Sequence, residues 1–246
     1  MTFKVDILET GSAKGNSLII DDSIMIDMGL PYKYIGQKLE EVDVILITHR
    51  HGDHINIPAL RKLHKLKPWK LQNALYCNKD VADKIHQSHN TKFEFDVPEN
   101  HIINDNSYIK FEKDGHIYDI ESFKCVHDVE NQGFVITKDN NTTLLFATDT
   151  STIDYAPSHF KYDYIVLEGN YDEDILHDAL VNGSDNESYR ASRNLRHLSI
   201  QEYDNFIEKY GKKDCVAIQL HESETFGRQT GAETIGRDKI NLWIMI

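Results

Sequence analysis

"VDVILITHRHGDHI", residues 42–55, decides how this chain is read. Its first half is an apolar run of the kind that forms a strand covered on both faces. Its second half places His49, His51, Asp53 and His54 directly behind that strand, although imidazole and carboxylate groups resist burial unless they are satisfied. Both groups are good ligands for zinc and neighbouring metals. A loop leaving a strand is also the rigid support on which functional side chains are commonly hung. Four such ligands around one ion would close it to chemistry. Two adjacent ions would share them better, and further ligands are then expected at the ends of other strands.

Those strand ends exist. His127 closes "SFKCVH", Asp149 closes "LLFATD" and His221 closes "CVAIQLH", each at the C-terminal tip of an apolar run. Any one of them taken alone reads as a surface histidine or a strand-ending aspartate. All three together with the cluster do not.

Working outward, "FKVDILET", "SLII" and "SIMIDMG" read as early strands, with "GSAKGNS" as turn chemistry between the first two. "IPALRKLHKL" has the helical spacing of Ile57, Leu60, Leu63 and Leu66. A second block of strands runs from "SYIKF" through "IYDIESFKCVH" to "GFVITKDNNTTLLFATDT", where "KDNN" makes a hairpin turn. "YDYIVLEGN" is a buried strand, "DEDILHDALV" a helix, and "NGSDNESYRASRNLRH" polar and loop-like at its start. "SIQEYDNFIEKYG" is a helix with Ser199 at its N-cap and Gly211 past its end, and "CVAIQLHES" is a last interior strand. The pattern predicts a layered α/β protein with sheets inside and helices outside, as one domain over residues 1–246. There is no internal repeat and no Pro- or Gly-rich linker.

Lys plus Arg total 27 against 40 for Asp plus Glu, a formal charge of −13. That balance repels a polyanion at long range and disfavours a large nucleic-acid footprint. Cys77, Cys125 and Cys215 match neither a disulfide framework nor a four-thiolate zinc site. No apolar run approaches the roughly 20 residues needed to span a bilayer, and no secretory leader is visible. A cytoplasmic, reduced, soluble protein is expected, in the host cytoplasm if a phage encodes it.

The "HRHGDH" loop, followed by a lone His, a lone Asp and a final His, resembles the signature of the metallo-β-lactamase superfamily. The resemblance covers most of the chain and implies an αββα sandwich with a two-metal site along one edge. Carried over by position, His49, His51 and His127 hold the first metal. Asp53, His54 and His221 hold the second, and Asp149 bridges. "IMIDMG" is similar to the family's early Asp motif, so Asp27 is expected to orient a ligand. The ligands suit zinc, with manganese also allowed. In such centres two ions about 3.5–4 Å apart share and activate a hydroxide and clamp a phosphate or carbonyl oxygen.

"DYIVLEGNYD", "RHLSIQEYDNFIEKYG" and "CVAIQLHES" resemble the phosphodiesterase branch that holds ribonuclease Z and the YycJ-type DNA exonucleases. That resemblance makes Glu168 and His197 catalytic residues beside Asp53. His197, kept partly protonated by Glu168, would give a proton to the leaving oxygen. Its place just before a helix would also bring phosphate oxygens near free backbone N–H groups. Arg190, Arg193 and Arg196 form a local basic cluster and are candidate phosphate ligands, although their spacing also fits a solvated helix face.

The chain departs from the branch where Arg196 replaces a Gly before "HLS", where "IQE" follows it, and where the last motif reads "HES". It also lacks the Gly-rich basic arm of ribonuclease Z. It resembles compact phage-type members of the branch, including anti-Pycsar enzymes that open cyclic mononucleotides. The resemblance therefore implies a phosphodiesterase acting on small nucleotides, cyclic ones among the candidates. A DNA or RNA end-trimming nuclease is the alternative, and a lactone or thioester hydrolase or a metal-free binding protein is more remote. Related small enzymes commonly dimerise, so a homodimer is compatible with the sequence, but no residue marks an interface.

Overall fold

The computed structural model describes residues 2–11, 15–228 and 242–244. Contacts divide the chain into two compact units, Met1–Ser107 with Val129–Gln132, and Tyr108–Asp128 with Gly133–Ile246.

The first unit is built on a five-stranded sheet, β1 (Val5–Glu9), β2 (Ser17–Ile20), β3 (Ile24–Ile26), β4 (Val44–Ile47) and β5 (Leu75–Cys77), in that spatial order. The first three strands pair antiparallel, and β3, β4 and β5 run parallel. All four residues of β4 are buried, as a strand with neighbours on both edges and cover on its faces requires. Four helices supply the cover: α1 (Tyr32–Glu41), α2 (Ile57–Leu66), α3 (Pro68–Ala74) and α4 (Lys79–Gln87). Their Ile35, Leu39, Leu60, Leu63, Leu71, Val81 and Ile85 join Ile45 and Ile47 in one apolar cluster. Helix α2 follows the expected span. Asn56 caps it by accepting the Ala59 N–H at 3.0 Å, and Pro58 sits in the first turn, where its missing N–H costs nothing.

The second unit carries a seven-stranded sheet ordered β12 (Leu242–Ile244), β11 (Gly211–Leu220), β10 (Tyr162–Glu168), β9 (Thr142–Ala147), β8 (Glu130–Lys138), β7 (His116–Val126) and β6 (Tyr108–Lys113). Strands β9, β10 and β11 are parallel. The β8–β9 turn holds Asp139 and Asn140 at φ 53° and 54°, the left-handed pair that a type I′ turn needs. Helix α7 (Ile200–Tyr210) lays Tyr203, Phe206 and Ile207 on this sheet's core. A capping box starts it, Ser199 and Glu202 satisfying each other's backbone N–H groups, and Gly211 follows it as expected.

The polar stretch is loop-like at its start, residues 182–184, and then forms a helix that the sequence did not mark, α6 (Asp185–Asn194), N-capped by Ser184. It packs on α5 (Glu173–Val181) through Leu176, Ala179 and Ala191 around Phe226. Ala191 is the only buried residue of α6, so its sequence carries almost no apolar period to reveal it. Among the described residues no helix is long and apolar enough to cross a membrane.

Two substitutions test this account. Ser199→Ala should cost about 1 kcal/mol in urea unfolding by removing the cap. Ile45→Ala, at a position with no solvent exposure, should cost roughly 2–5 kcal/mol.

Candidate functional site

In the first unit the chemistry gathers where β3 and β4 end. Asp27 leaves β3 with φ 60°, an uncommon backbone state outside glycine, and is 1% exposed. Its Oδ1 accepts the Thr48 N–H at 2.9 Å, its carboxylate also accepts the Thr48 hydroxyl, and Oδ2 lies 2.7 Å from His54 Nδ1. Burial pushes the Asp27 carboxyl up, against the downward pull of His54 and Thr48. On the other side of the His54 ring, the Asn16 side-chain amide lies 2.9 Å from Nε2 and 3.3 Å from Asp53 Oδ2. An amide NH₂ only donates, so Nε2 accepts there while Nδ1–H donates to Asp27. Both contacts select the tautomer whose lone pair is on Nε2.

His49 stands beside these groups, its ring 4.0 Å from that of His54 and 4.8 Å from that of His51. His49 Nε2 and His51 Nδ1 are 3.1 Å apart. The unit thus brings together all of its expected ligands, His49, His51, Asp53 and His54, with Asp27 behind them.

The loop keeps this shape by backbone pairing. The His54 and Ile55 N–H groups both donate to the His51 carbonyl, Met28 donates to His54, and Asn16 donates to Asp53 at 2.6 Å. Two glycines make room. A Cβ on Gly29 would lie 1.7 Å from the Asp53 carbonyl oxygen, and Gly15, at φ 104°, would meet Gly29 at 2.7 Å. Asn16, Thr48 and Gly29 were not singled out by the sequence, because their roles depend on chain segments that meet only in the fold. The "GSAKGNS" stretch does lie between β1 and β2, and its residues 12–14 fall outside the described residues.

In the second unit three parallel strands send their C-terminal ends to one edge. Asp149 follows β9, Glu168 ends β10 and His221 follows β11. Asp149 and His221 sit at φ 51° and 58°, a strained state for a bulky ring and a feature that clusters at functional sites. His127 follows β7, whose Val126 is tied to this edge by its N–H to Thr150 Oγ1 at 3.0 Å and its carbonyl to the Ser151 N–H at 2.8 Å. Donor atoms of Asp149, Glu168, His197 and His221 all lie within 4.8 Å of one another. The His127 ring is 5.8 Å from that of His197.

Glu168 organises this group. It has no solvent exposure, and its Oε2 is 3.1 Å from His197 Nδ1 and 3.4 Å from His221 Nδ1. Its Oε1 accepts the backbone N–H groups of Thr150 and Leu198. Burial raises its carboxyl, but the bonds from two imidazoles outweigh burial and hold it below the usual carboxylate range. Asp27, equally buried with one imidazole partner, goes the other way. Asn170, which the sequence reading passed over, donates its side-chain amide to the His221 carbonyl at 2.6 Å and steadies that residue.

The three arginines do not act as one group. Arg190 donates to Thr225 Oγ1 at 3.3 Å, Arg193 points from the exposed face of α6, and Arg196 pairs with Asp128 at 3.0 Å. The start of α7 is occupied too. The Ser199 N–H goes to Glu202, Ile200 to the Tyr171 carbonyl and Glu202 to Ser199 Oγ, so those groups are not free for phosphate.

Buried imidazole nitrogens and carboxylate oxygens at strand ends, with one ring held in a metal-ready tautomer, make a donor set that fits divalent cations of the zinc type. The fold around them is a recognised one. A family model described as the beta-lactamase superfamily domain matches residues 27–218. The chain belongs to that superfamily, and its two helix-flanked mixed sheets have the metallo-β-lactamase fold, as the sequence led one to expect.

Over 190 residues the chain is 32% identical to exodeoxyribonuclease WalJ of Streptococcus pneumoniae, a match covering 71% of this chain and 65% of that protein. The chain therefore spans a little under two thirds of the length of that relative. It is 37% identical over 67 residues to anti-Pycsar protein Apyc1 of a Paenibacillus species, covering 22% of this chain and 27% of that one. Among solved structures, the metallo-β-lactamase fold protein YhfI of Bacillus subtilis aligns with a TM-score of 0.63 at 16% identity, over 90% of this chain and 87% of that one.

Asp27→Ala should lower the affinity for divalent metal about 10- to 100-fold, measured by competition with a chromophoric chelator. An unchanged affinity would show that the Asp27–His54 contact does not orient a ligand.

Proposed function

We propose that this metallo-β-lactamase-family hydrolase is a phosphodiesterase that opens small cyclic nucleotides. His49, His51 and His127 would hold one divalent ion and Asp53, His54 and His221 a second, with Asp149 between them. The observation that carries the reading is the buried Glu168 carboxylate beside His197, at 3.1 Å. Ions bound by these donors supply an activated water and neutralise developing phosphate charge.

The chain's own residues do the remaining work. Glu168 fixes the His197 ring with Nδ1–H toward itself, which leaves Nε2 to carry the proton that the leaving oxygen needs. The negative charge of Glu168 balances the imidazolium before the proton is given up. A thioester, whose thiolate leaves without a proton, would not need that arrangement. Zinc and manganese both suit the donor set, and metal analysis of the purified protein distinguishes them.

The formal charge of −13 and the helix-bound or ion-paired arginines favour a small anion over a long polymer. A DNA- or RNA-end nuclease is the second reading, and the 32% identity to exodeoxyribonuclease WalJ favours it.

A panel of 3′,5′-cyclic nucleotides and end-labelled linear DNA, assayed with and without a chelator, tests the proposal. Cyclic nucleotides should be opened, and chelation should abolish turnover. Cleavage of DNA alone would move the function to the nuclease, and would come with a steep loss of binding as salt rises. His197→Ala should reduce kcat on the phosphodiester by roughly 10²- to 10⁴-fold while leaving metal content intact. Undiminished turnover would remove His197 from the chemistry.

A further inference from the structure

The segment that follows α4 holds a second set of metal-ligating side chains, separate from the strand-end residues. His86 lies in the last turn of α4, His89 follows three residues later, and Asp96 returns beside both. His86 Nδ1 is 2.8 Å from Asp96 Oδ1, and His89 Nε2 is 3.4 Å from the same oxygen. The two rings are 4.8 Å apart between centroids, and one donor atom from each of the three residues lies within 4.8 Å of the other two. We propose that His86, His89 and Asp96 form a surface binding site for a divalent transition-metal ion, with water completing its coordination.

Three observations carry this beyond an ordinary ion pair. The first is spacing. Ligands each about 2.1 Å from one ion, at right or tetrahedral angles, stand roughly 3.0–3.4 Å apart. The two nitrogen–oxygen separations, 2.8 and 3.4 Å, bracket that range, so small rotations of exposed side chains suffice.

The second is charge. Two imidazoles share one carboxylate oxygen, and protonating both would put two like charges beside a single negative one. A divalent cation takes the lone pairs of both rings and the carboxylate together.

The third is preorganisation. The His89 N–H donates to the His86 carbonyl, closing the turn between the two rings. Asn90 and Phe93 exchange backbone hydrogen bonds across the next turn. Phe93 and Phe95 are both buried in the first unit's core, while the Phe95 N–H and carbonyl, 3.2 and 2.8 Å from His89 Nε2, must give up that nitrogen when an ion binds it. The backbone from 86 to 96 is thereby fixed before any ion arrives. The neighbouring cation, Arg61, is turned away to the Ser88 carbonyl. A neutral imidazole can bind through the nitrogen that now faces Asp96 by carrying its one proton on the other ring nitrogen.

Two imidazoles and one carboxylate suit nickel, zinc, cobalt or copper ions rather than calcium or magnesium. An ion there would clip the segment at Asp96 to the end of α4. It would be a structural or regulatory ion on the outside of the unit, not part of hydrolysis.

Ni²⁺ titrated by calorimetry into the metal-loaded protein tests this. One further equivalent should bind to the wild type. His86→Gln and Asp96→Asn should each weaken it at least tenfold, whereas His159→Gln, at an unrelated exposed histidine, should leave it unchanged. Hydrolytic turnover and the circular dichroism spectrum of His86→Gln should match the wild type, which separates this site from the catalytic donors. Absence of the extra equivalent, or equal binding by His86→Gln, Asp96→Asn and wild type, overturns the proposal. As a second readout, Ni²⁺ should raise the Tm of the wild type and not that of His86→Gln.

Discussion

A carboxylate at 1% exposure must be satisfied or cost several kcal/mol, and Asp27 is satisfied by the loop it serves. Its oxygens take the Thr48 N–H, the Thr48 hydroxyl and the His54 ring. Thr48 ends the buried strand and His54 ends the histidine loop, so one side chain joins the two ends of the stretch that carries the ligands. Asn16 closes the far side of the His54 ring, and the glycines at 15 and 29 allow the three chain segments to approach. Without this tie the four ligand-type residues behind β4 would be solvated polar groups on a loop. With it, Nδ1 of His54 is committed to Asp27, and Nε2 takes the Asn16 amide beside Asp53.

The second unit solves the same problem with a different carboxylate. Glu168 draws in two imidazoles and two backbone N–H groups, and its buried charge is compensated on every side. Parallel strands make this economical, because their C-terminal ends lie along one edge and each can deliver one functional residue. The positive φ values of Asp27, Asp149 and His221 show how delivery is achieved, with the chain turning sharply at the strand tip to aim a side chain. Such backbone states cost roughly 1–3 kcal/mol each and persist where surrounding bonds over-determine them. The Asn170 amide on the His221 carbonyl is one such bond.

An acidic chain needs local positive charge to take the anionic substrate proposed for it. The surface carries a net −13, yet the donor set is mostly imidazole, and divalent ions bound to it reverse the local field. The arginines that the sequence offered as phosphate ligands are largely committed elsewhere, Arg196 to Asp128 and Arg190 to Thr225. At the proposed site, positive potential would come from bound metal more than from basic side chains.

The sequence alone determined the parts governed by local pattern. The apolar runs marked β1 to β4 and β6 to β11 but not β5, the spacing of Ile57, Leu60, Leu63 and Leu66 marked α2, and Ser199 marked the start of α7. The candidate ligands stood out by type and by their joint position at strand ends, although each taken alone has an ordinary structural reading. Helix α6 escaped notice because a single buried residue leaves no apolar period to read. The roles of Asn16, Thr48, Asn170, Gly15 and Gly29 were decided only by the tertiary structure. Each acts on a partner 20 or more residues away or on a backbone approach of a few ångströms, and neither leaves a trace in local periodicity. His86, His89 and Asp96 are closer in sequence, but local periodicity does not mark them either. Their meaning lies in distances, which a chain acquires only when it folds.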